Sequence, residues 1–171
     1  MAGQMPIFWP LARRPLNRWN SSEQLYQASK YGTDVMCLPA SNPKADPCVR
    51  NRIWAQDSIR GAKLTQKCAV KAGWVRSDWE APDEIRLKSM LWVLELKLFW
   101  NPGTFGGTLA ATGDNPIVEI SRKDDFWGCK ETQPGVLVGE NQLGLLLMDV
   151  RSRSDEIKNQ NFTYPGGFLL P

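Results

Sequence analysis

Two polar motifs interrupt the apolar second half of the 171-residue chain. The first reads Ile-Val-Glu-Ile-Ser over residues 117–121 and Asp-Asp-Phe-Trp-Gly over residues 124–128. The second reads Gly-Glu-Asn-Gln-Leu-Gly over residues 139–144 and opens the apolar run of residues 145–148. This order predicts a short strand, a loop with a carboxylate three residues before a tryptophan, and a capped helix. Such parts can form a pocket that holds a flat ring beside a charge.

Composition predicts one soluble domain that is large enough to bury a core, since 42% of the residues are hydrophobic and 23% are charged. The longest apolar runs are far shorter than a membrane span, and the first 20 residues contain no continuous apolar segment of the signal-peptide type. The four cysteines form no Cys-x-x-Cys pair, which is typical of reduced thiols. We therefore expect a cytoplasmic protein with no membrane partner.

The chain contains no histidine, which excludes several classes of active site. Ser-His-Asp and Cys-His nucleophile pairs are ruled out, and so are zinc or iron sites built on imidazole. Acid–base chemistry must then use carboxylates, lysines, tyrosines or cysteines. We expect no metal site and no cofactor.

Charge is unevenly distributed along the chain, although the net charge is only +3. Residues 1–76 contain 12 Lys and Arg against 4 Asp and Glu, whereas residues 77–171 contain 9 against 14. A basic first half is typical of proteins that bind phosphate-bearing ligands or nucleic acid. A solvated basic surface explains the same asymmetry equally well.

Helix signals outnumber strand signals. Ser21 and Gln24 have the spacing of a capping box, and the residues before Asn101-Pro102 predict a central, mostly buried helix. The predicted helices cover residues 22–32, 46–56, 60–72, 82–101, 104–111 and 141–159, and the predicted strand covers residues 116–121. The fold class is therefore α+β, a helix-dominated single domain with a small β-sheet. We place an irregular segment at residues 1–18, the domain at 19–158 and a tail at 159–171.

Glu23, Gln27 and Lys30 recur at helical spacing and should share one face of the first predicted helix. A carboxylate and an amine about two turns apart can contact two ends of one ligand. A polar face of this kind is more commonly just solvated, and that interpretation stays open for these residues alone.

Four further residues each have two interpretations. Asp124 is a candidate carboxylate or a turn-former after a strand. Trp79 and Trp127 are candidate stacking platforms or core aromatics, in a chain with 8 tryptophans. Lys63 is a candidate phosphate contact or an ordinary exposed lysine.

Taken together, these motifs resemble those of the NADAR superfamily, also called YbiA-like proteins. The family motif E-x-x-x-Q-x-x-K-[FY] is matched by Glu23, Gln27, Lys30 and Tyr31. The later motifs follow in the family's order at Ala62-Lys63, at Trp79, at Lys97, Leu98 and Asn101, and at residues 111–113, 118–121, 124–128 and 139–151. Members usually begin with an additional segment that contains an aromatic-Ser-Asn-aromatic motif. The 18 residues before Trp19 contain no such motif, so we expect a shortened N-terminus.

The resemblance implies cleavage of a bond between ribose C1 and a nitrogen. Activities of the family include removal of ADP-ribose from guanine in nucleic acid, in antitoxins that oppose ADP-ribosylating toxins. They also include hydrolysis of a phosphorylated ribosylamino-pyrimidine intermediate of riboflavin synthesis. The expected partner is thus ADP-ribosylated nucleic acid, with a possible cognate toxin system, or a small phosphorylated ribosylamine. A module that binds ADP-ribose without cleaving it is a third interpretation.

The resemblance also implies which residues act. Glu23 and Asp124 are the predicted pair that stabilises the sugar and protonates the leaving nitrogen. A second route uses Lys30, or failing that Lys63, to form a Schiff base with the opened ribose. If it is not the nucleophile, Lys63 is expected to contact phosphate. The remaining predicted substrate contacts are Gln27, Trp79, Trp127, Gly128 and Asn141.

Overall fold

The computed structural model describes residues 18–31, 49–80 and 85–159, together with the backbone of residues 7–8. Its helices are α1 Ser22–Ser29, α2 Val49–Trp54, α3 Ile59–Lys71, α4 Ile85–Trp100, α5 Gly107–Ala111, α6 Gln142–Ser152 and α7 Ser154–Ile157. The strands are β1 Ile7–Phe8, β2 Arg18–Trp19, β3 Lys130–Gln133 and β4 Val136–Val138. β1 pairs with β2 and β3 pairs with β4, both antiparallel. The predicted α+β class, dominated by helices with small sheets, is confirmed.

The chain divides into two compact units. The first unit runs to Val93 and includes α1 to α3. The second unit, Leu94–Asn161, includes α5 to α7 and the β3–β4 hairpin. The boundary falls within α4, so this helix contributes residues to both units.

The first unit is organised around the start of α1. The predicted cap is confirmed, since the Ser21 hydroxyl accepts a hydrogen bond of 3.1 Å from the Gln24 backbone N–H. The Gln24 side chain is 1% exposed, and its amide donates to the backbone carbonyls of Ile53 and Gln56 at 2.7 and 2.9 Å. These carbonyls lie at and just after the end of α2, where the helix itself leaves carbonyl groups without an i+4 donor. One buried side chain therefore fixes the position of α1 against α2.

The second unit has its own core of apolar side chains. The fully or nearly buried apolar side chains include Leu96, Leu98, Val150 and Ile157. The Arg153 guanidinium lies 2.8 Å from Glu95 and 2.6 Å from Asp149, which joins the end of α6 to α4.

The predicted strand over residues 116–121 is wrong. This segment forms only an isolated parallel bridge between Ile120 and Cys129. The Cys129 N–H donates to the Glu119 carbonyl at 2.7 Å, and the Ser121 N–H donates to the Cys129 carbonyl at 2.8 Å. No longer ladder develops because the backbone before this bridge bonds to the Asn141 side chain instead, at Ile117 and Glu119.

The helix predictions are confirmed in type, with differences at the ends. The predicted helix over residues 141–159 is two helices, because the chain leaves helical geometry at Arg153. The predicted helix over residues 104–111 begins with a π-helical turn at Pro102–Gly106. The predicted helix starts at residues 46–47 and 82 lie outside the described residues. Within the described ranges, no helix combines the length and the apolar character needed to cross a membrane.

Candidate functional site

Lys30 follows the last residue of α1 and is only partly exposed. Its Nζ lies 5.5 Å from the centroid of the Tyr26 ring and 5.9 Å from that of the Trp79 ring. The two rings are themselves 5.6 Å apart and tilted by 50°. The Arg76 N–H donates to the Lys30 carbonyl at 3.0 Å, and this bond holds the segment that carries Trp79 against the end of α1. The amine therefore sits beside two aromatic faces instead of in open water.

Lys30 and Trp79 line an open cleft of about 480 Å³. This volume lies within the range of small-molecule sites, roughly 300–1,000 Å³. The far wall is supplied by α3 and by the turn before Trp79; the other lining residues are Gln66, Val70, Gly73, Val75, Arg76, Ser77 and Glu80. All of them belong to the first unit.

Burial lowers the pKa of the Lys30 amine from its ordinary value of 10.5. The charge of Glu23 opposes this effect, the charge of Lys63 adds to it, and the charge of Glu80 again opposes it. A lowered pKa increases the neutral fraction of the amine, which is the form that acts as a nucleophile. No described carboxylate lies within ion-pair distance of the Lys30 amine.

The Glu23 carboxylate contacts one polar side chain, Gln27, and one cationic side chain, Lys63. One carboxylate oxygen, Oε1, accepts from the Gln27 amide at 2.8 Å and lies 3.2 Å from the Lys63 Nζ. The Lys63 side chain is 53% exposed, so this ion pair orients Glu23 but adds little stability. Gln27 is 8% exposed, and its Oε1 has no hydrogen-bond partner among the described residues. The structure therefore brings together four of the predicted site residues along α1 and α3, together with Trp79.

The remaining predicted residues belong to the second unit, where they build a loop. Asp124 Oδ1 accepts from the backbone N–H groups of Phe126 and Trp127 at 3.1 and 2.9 Å. Its Oδ2 has no hydrogen-bond partner among the described residues. The Trp127 ring meets the Phe126 ring edge-on at 5.0 Å. The geometry is that of a turn-forming aspartate with one carboxylate oxygen left over.

Gly128 and Asn141 hold the same loop closed. A Cβ on Gly128 would lie 2.5 Å from the Glu119 carbonyl oxygen, so the close approach requires glycine. Asn141 adopts the left-handed conformation with φ of 54°. Its Oδ1 accepts from the Glu119 N–H at 3.0 Å, and its Nδ2 donates to the Ile117 carbonyl at 2.8 Å. Both ends of this amide are therefore engaged with the backbone.

Four polar residues of the cleft were missed by sequence analysis, namely Gln66, Arg76, Ser77 and Glu80. The Arg76 guanidinium is paired with Asp78, whose pKa it lowers. Arg76 and Glu80 lie within three residues of Trp79 in sequence, and this proximity to a predicted site residue could have identified them. Gln66 lies on α3 and has no comparable motif.

Comparison with known proteins agrees with the sequence motifs. The NADAR domain matches residues 11–154. A riboflavin biosynthesis protein of Vibrio vulnificus is 31% identical over 139 residues, which cover 81% of this chain and 31% of that protein. An N-glycosidase of Nostoc punctiforme is 30% identical over 143 residues, which cover 82% of this chain and 76% of that protein.

The fold also has a solved counterpart. The NMR structure of the E. coli protein YbiA is similar with a TM-score of 0.62 and 23% identity, over 94% of this chain and 79% of that one. At this identity the likeness concerns the fold alone. Since the domain match covers most of the chain, with relatives at 30% and 31% identity, the protein belongs to the NADAR domain family.

Proposed function

We propose that this protein is an N-glycosidase that hydrolyses the bond between ribose C1 and an exocyclic amine nitrogen. The observation that carries the proposal is the Lys30 amine, which lies beside Tyr26 and Trp79 in a cleft of about 480 Å³ and has a lowered pKa. The family membership and the name of the Nostoc relative support the same reaction class. The chain spans 31% of the length of the Vibrio protein, so that protein's activity enters here only as part of the proposal.

The proposed chemistry passes through an imine. Protonation of the ribose ring oxygen breaks its bond to C1, and the nitrogen lone pair forms a C1=N double bond to the substrate amine. The neutral Lys30 Nζ adds to C1, and the amine leaves with a proton, so that Lys30 becomes the imine partner. Water then adds to C1, the Lys30 amine is released, and the free ribose closes its ring. The net reaction consumes one water.

Glu23 is the proposed proton donor and acceptor for these steps. It lies two turns before Lys30 on the same face of α1, and its charge acts on the Lys30 amine. Gln27 and Lys63 hold its carboxylate through one oxygen, which leaves the second for proton transfer. General acid–base catalysis of this kind contributes typically about 10²–10⁴-fold. Asp124, with its unpaired Oδ2, remains the proposed second carboxylate.

Substrate contacts are proposed for both aromatic and polar groups. Trp79 lines the cleft but is 6% exposed, so its proposed contact with the base or ribose uses the small part of the ring that faces the cleft. The buried Gln27 Oε1 accepts no hydrogen bond from the described residues, and it could accept one from a ribose hydroxyl or an amine N–H. Trp127, Gly128 and Asn141 remain proposed substrate contacts of the second unit.

The leading proposed substrate is ADP-ribose attached to guanine in nucleic acid, with a cognate ADP-ribosylating toxin system as the proposed biological setting. The basic first half of the chain supports a substrate with several phosphates. The second candidate is a phosphorylated ribosylamino-pyrimidine, which the name of the Vibrio relative supports. Both substrates attach ribose to an exocyclic amine and carry phosphate, so the same Lys30 chemistry serves either one.

The test is to incubate the purified protein with a guanine-ADP-ribosylated oligonucleotide and, separately, with the ribosylamino-pyrimidine phosphate. Mass spectrometry then follows the released sugar. We expect release from at least one substrate by the wild type and none by Glu23→Gln. Stabilisation of the protein by ADP-ribose without any product would contradict the enzyme and support a binding module. Turnover that is unaffected in Glu23→Gln would remove Glu23 from the mechanism.

A further inference from the structure

We propose that the exposed basic face of α3, defined as Arg60, Lys67 and Lys71, binds the sugar-phosphate backbone of single-stranded nucleic acid. This inference deepens the proposed function and rests on it, because it selects the polymeric substrate over the small one. It can nevertheless be tested by binding alone, without any turnover.

The charge of α3 is all of one sign. Its thirteen residues include four basic side chains and no aspartate or glutamate. Arg60, Lys67 and Lys71 are exposed and form no ion pair with any acidic residue that the structure describes, whereas Lys63 is paired with Glu23. Three uncompensated cations on one helix create a local positive potential that attracts phosphate.

The three cations form one stripe. At about 100° per residue, Arg60, Lys67 and Lys71 fall within about 40° of arc and span about 16 Å of helix. The buried residues Ala62 and Ala69 lie on the opposite side of the helix, which is the side that packs into the first unit. The cations are therefore directed away from the core along most of the length of α3, as a strand of several phosphates would require.

A surface groove lies along the first part of this stripe, at Arg60 and Lys67. It has a volume of about 650 Å³ and is lined by Ile59, Arg60, Lys63, Leu64 and Lys67. Leu64 is 63% exposed within it. Cations alternating with an exposed apolar side chain suit a ligand that has both phosphates and flat bases, as a single strand does.

The same helix connects the groove to the cleft of Lys30. Gln66 and Val70 of α3 line that cleft, and Lys63 lies between them and the basic stripe around the helix. A strand bound along the stripe thus passes beside the wall of the cleft. A modified guanine could enter the cleft from such a strand, since enzymes that act on a base need it outside the base stack.

The experiment measures binding of an unmodified single-stranded oligonucleotide by fluorescence anisotropy over a series of salt concentrations. The test variant is Arg60→Ala/Lys67→Ala/Lys71→Ala. The matched control is Lys88→Ala/Arg122→Ala/Lys158→Ala, which removes one arginine and two lysines at exposed positions elsewhere. Circular dichroism and thermal unfolding check that both variants remain folded.

We expect the α3 variant to lose at least about tenfold in affinity near 0.1 M salt, and its slope of log affinity against log salt to fall by about 2. The control variant should bind like the wild type. Unchanged binding by the α3 variant, or no binding by the wild type, would overturn the proposal. Preference for anionic phospholipid vesicles over the oligonucleotide would also overturn it.

The outcomes separate this inference from the proposed function. If the oligonucleotide is not bound but the ribosylamino-pyrimidine phosphate is hydrolysed, the proposal that α3 binds nucleic acid is rejected. The proposed N-glycosidase activity is then supported. If the oligonucleotide is bound through α3 but neither substrate is cleaved, the binding surface stands and the proposed reaction fails.

Discussion

The two polar regions of this protein use their side chains in opposite ways. In the loop of the second unit, Asp124 Oδ1 and both ends of the Asn141 amide bond to neighbouring backbone groups. In the first unit, the Lys30 amine lines the cleft and has no described ion-pair partner, and the Gln27 Oε1, buried on α1, has no described hydrogen-bond partner. Motif residues that look alike in sequence thus differ in whether their polar atoms bond to the backbone or lack a described partner. The comparison predicts different consequences of mutation in the two regions.

The largest expected effect is on turnover, in the first unit. Glu23→Gln should lower turnover by at least about 100-fold, because an amide cannot transfer the proton. Its stability should hardly change, since a glutamine oxygen can still accept from the Gln27 amide. The matched control is Glu131→Gln in β3, which makes the same chemical change in the hairpin and should leave turnover unaffected. If unfolding of Glu23→Gln accounts for its loss of turnover, Glu23 stabilises the fold, and the difference between the two regions does not hold.

The next effect is on stability, in the second unit. Gly128→Ala should lower the free energy of unfolding by about 2–3 kcal/mol, because the new Cβ would lie 2.5 Å from the Glu119 carbonyl oxygen. Gly107→Ala is the control, since its Cβ would meet nothing within 4 Å and alanine favours the helix α5. Denaturant unfolding measures both. A fully stable Gly128→Ala would show that this loop is not closely packed.

Substitutions at Asp124 can separate a loop-forming role of its side chain from a catalytic role. Asp124→Asn keeps the Oδ1 acceptor, so stability should stay within about 0.5 kcal/mol of the wild type, whereas Asp124→Ala should lose about 1–2 kcal/mol. If the carboxylate also takes part in the reaction, Asp124→Asn should lose at least about tenfold in turnover. Full activity in Asp124→Asn would leave Asp124 with its loop-forming role alone.

The smallest expected effect is the contribution of Lys30 to the pH dependence of stability. Because burial lowers the pKa of Lys30 from 10.5, the unfolded chain binds more protons between the lowered pKa and 10.5. The contribution of Lys30 to stability should therefore rise with pH through that window. Lys30→Met removes this dependence, so its gain over the wild type should be greatest near neutral pH and should shrink as the pH approaches 10.5. Lys88→Met, at an exposed position, is the control. A gain that grows with pH would contradict the direction of the shift.

Local signals in the sequence predicted much of the fold. The Ser21 cap and the bounds of α3 follow from side chains that act within one turn of the helix. The strand over residues 116–121 was wrong because the Asn141 side chain, more than 20 residues later, takes the hydrogen bonds that a ladder would need. The β3–β4 hairpin was missed, although Pro134 and Gly135, with φ of 78° at the glycine, precede the apolar run of β4.

The candidate site was predictable only along single elements. Helical spacing placed Glu23, Gln27 and Lys30 on one face, and the structure has Glu23 and Gln27 in contact. The meeting of Lys63 with Glu23, and of Trp79 with Tyr26, depends on tertiary packing that periodicity does not encode. The family motifs identified these residues without indicating their distances.

Borohydride trapping can show whether the Lys30 amine forms a bond to ribose C1 during turnover. The protein is mixed with guanine-ADP-ribosylated oligonucleotide and, in parallel, with the ribosylamino-pyrimidine phosphate; borohydride is added during turnover, and peptides are mapped by mass spectrometry. We expect a reduced sugar adduct on Lys30 with at least one substrate, and neither adduct nor turnover in Lys30→Met. Undiminished turnover by folded Lys30→Met, or a trapped adduct on Lys63 instead, would contradict this expectation.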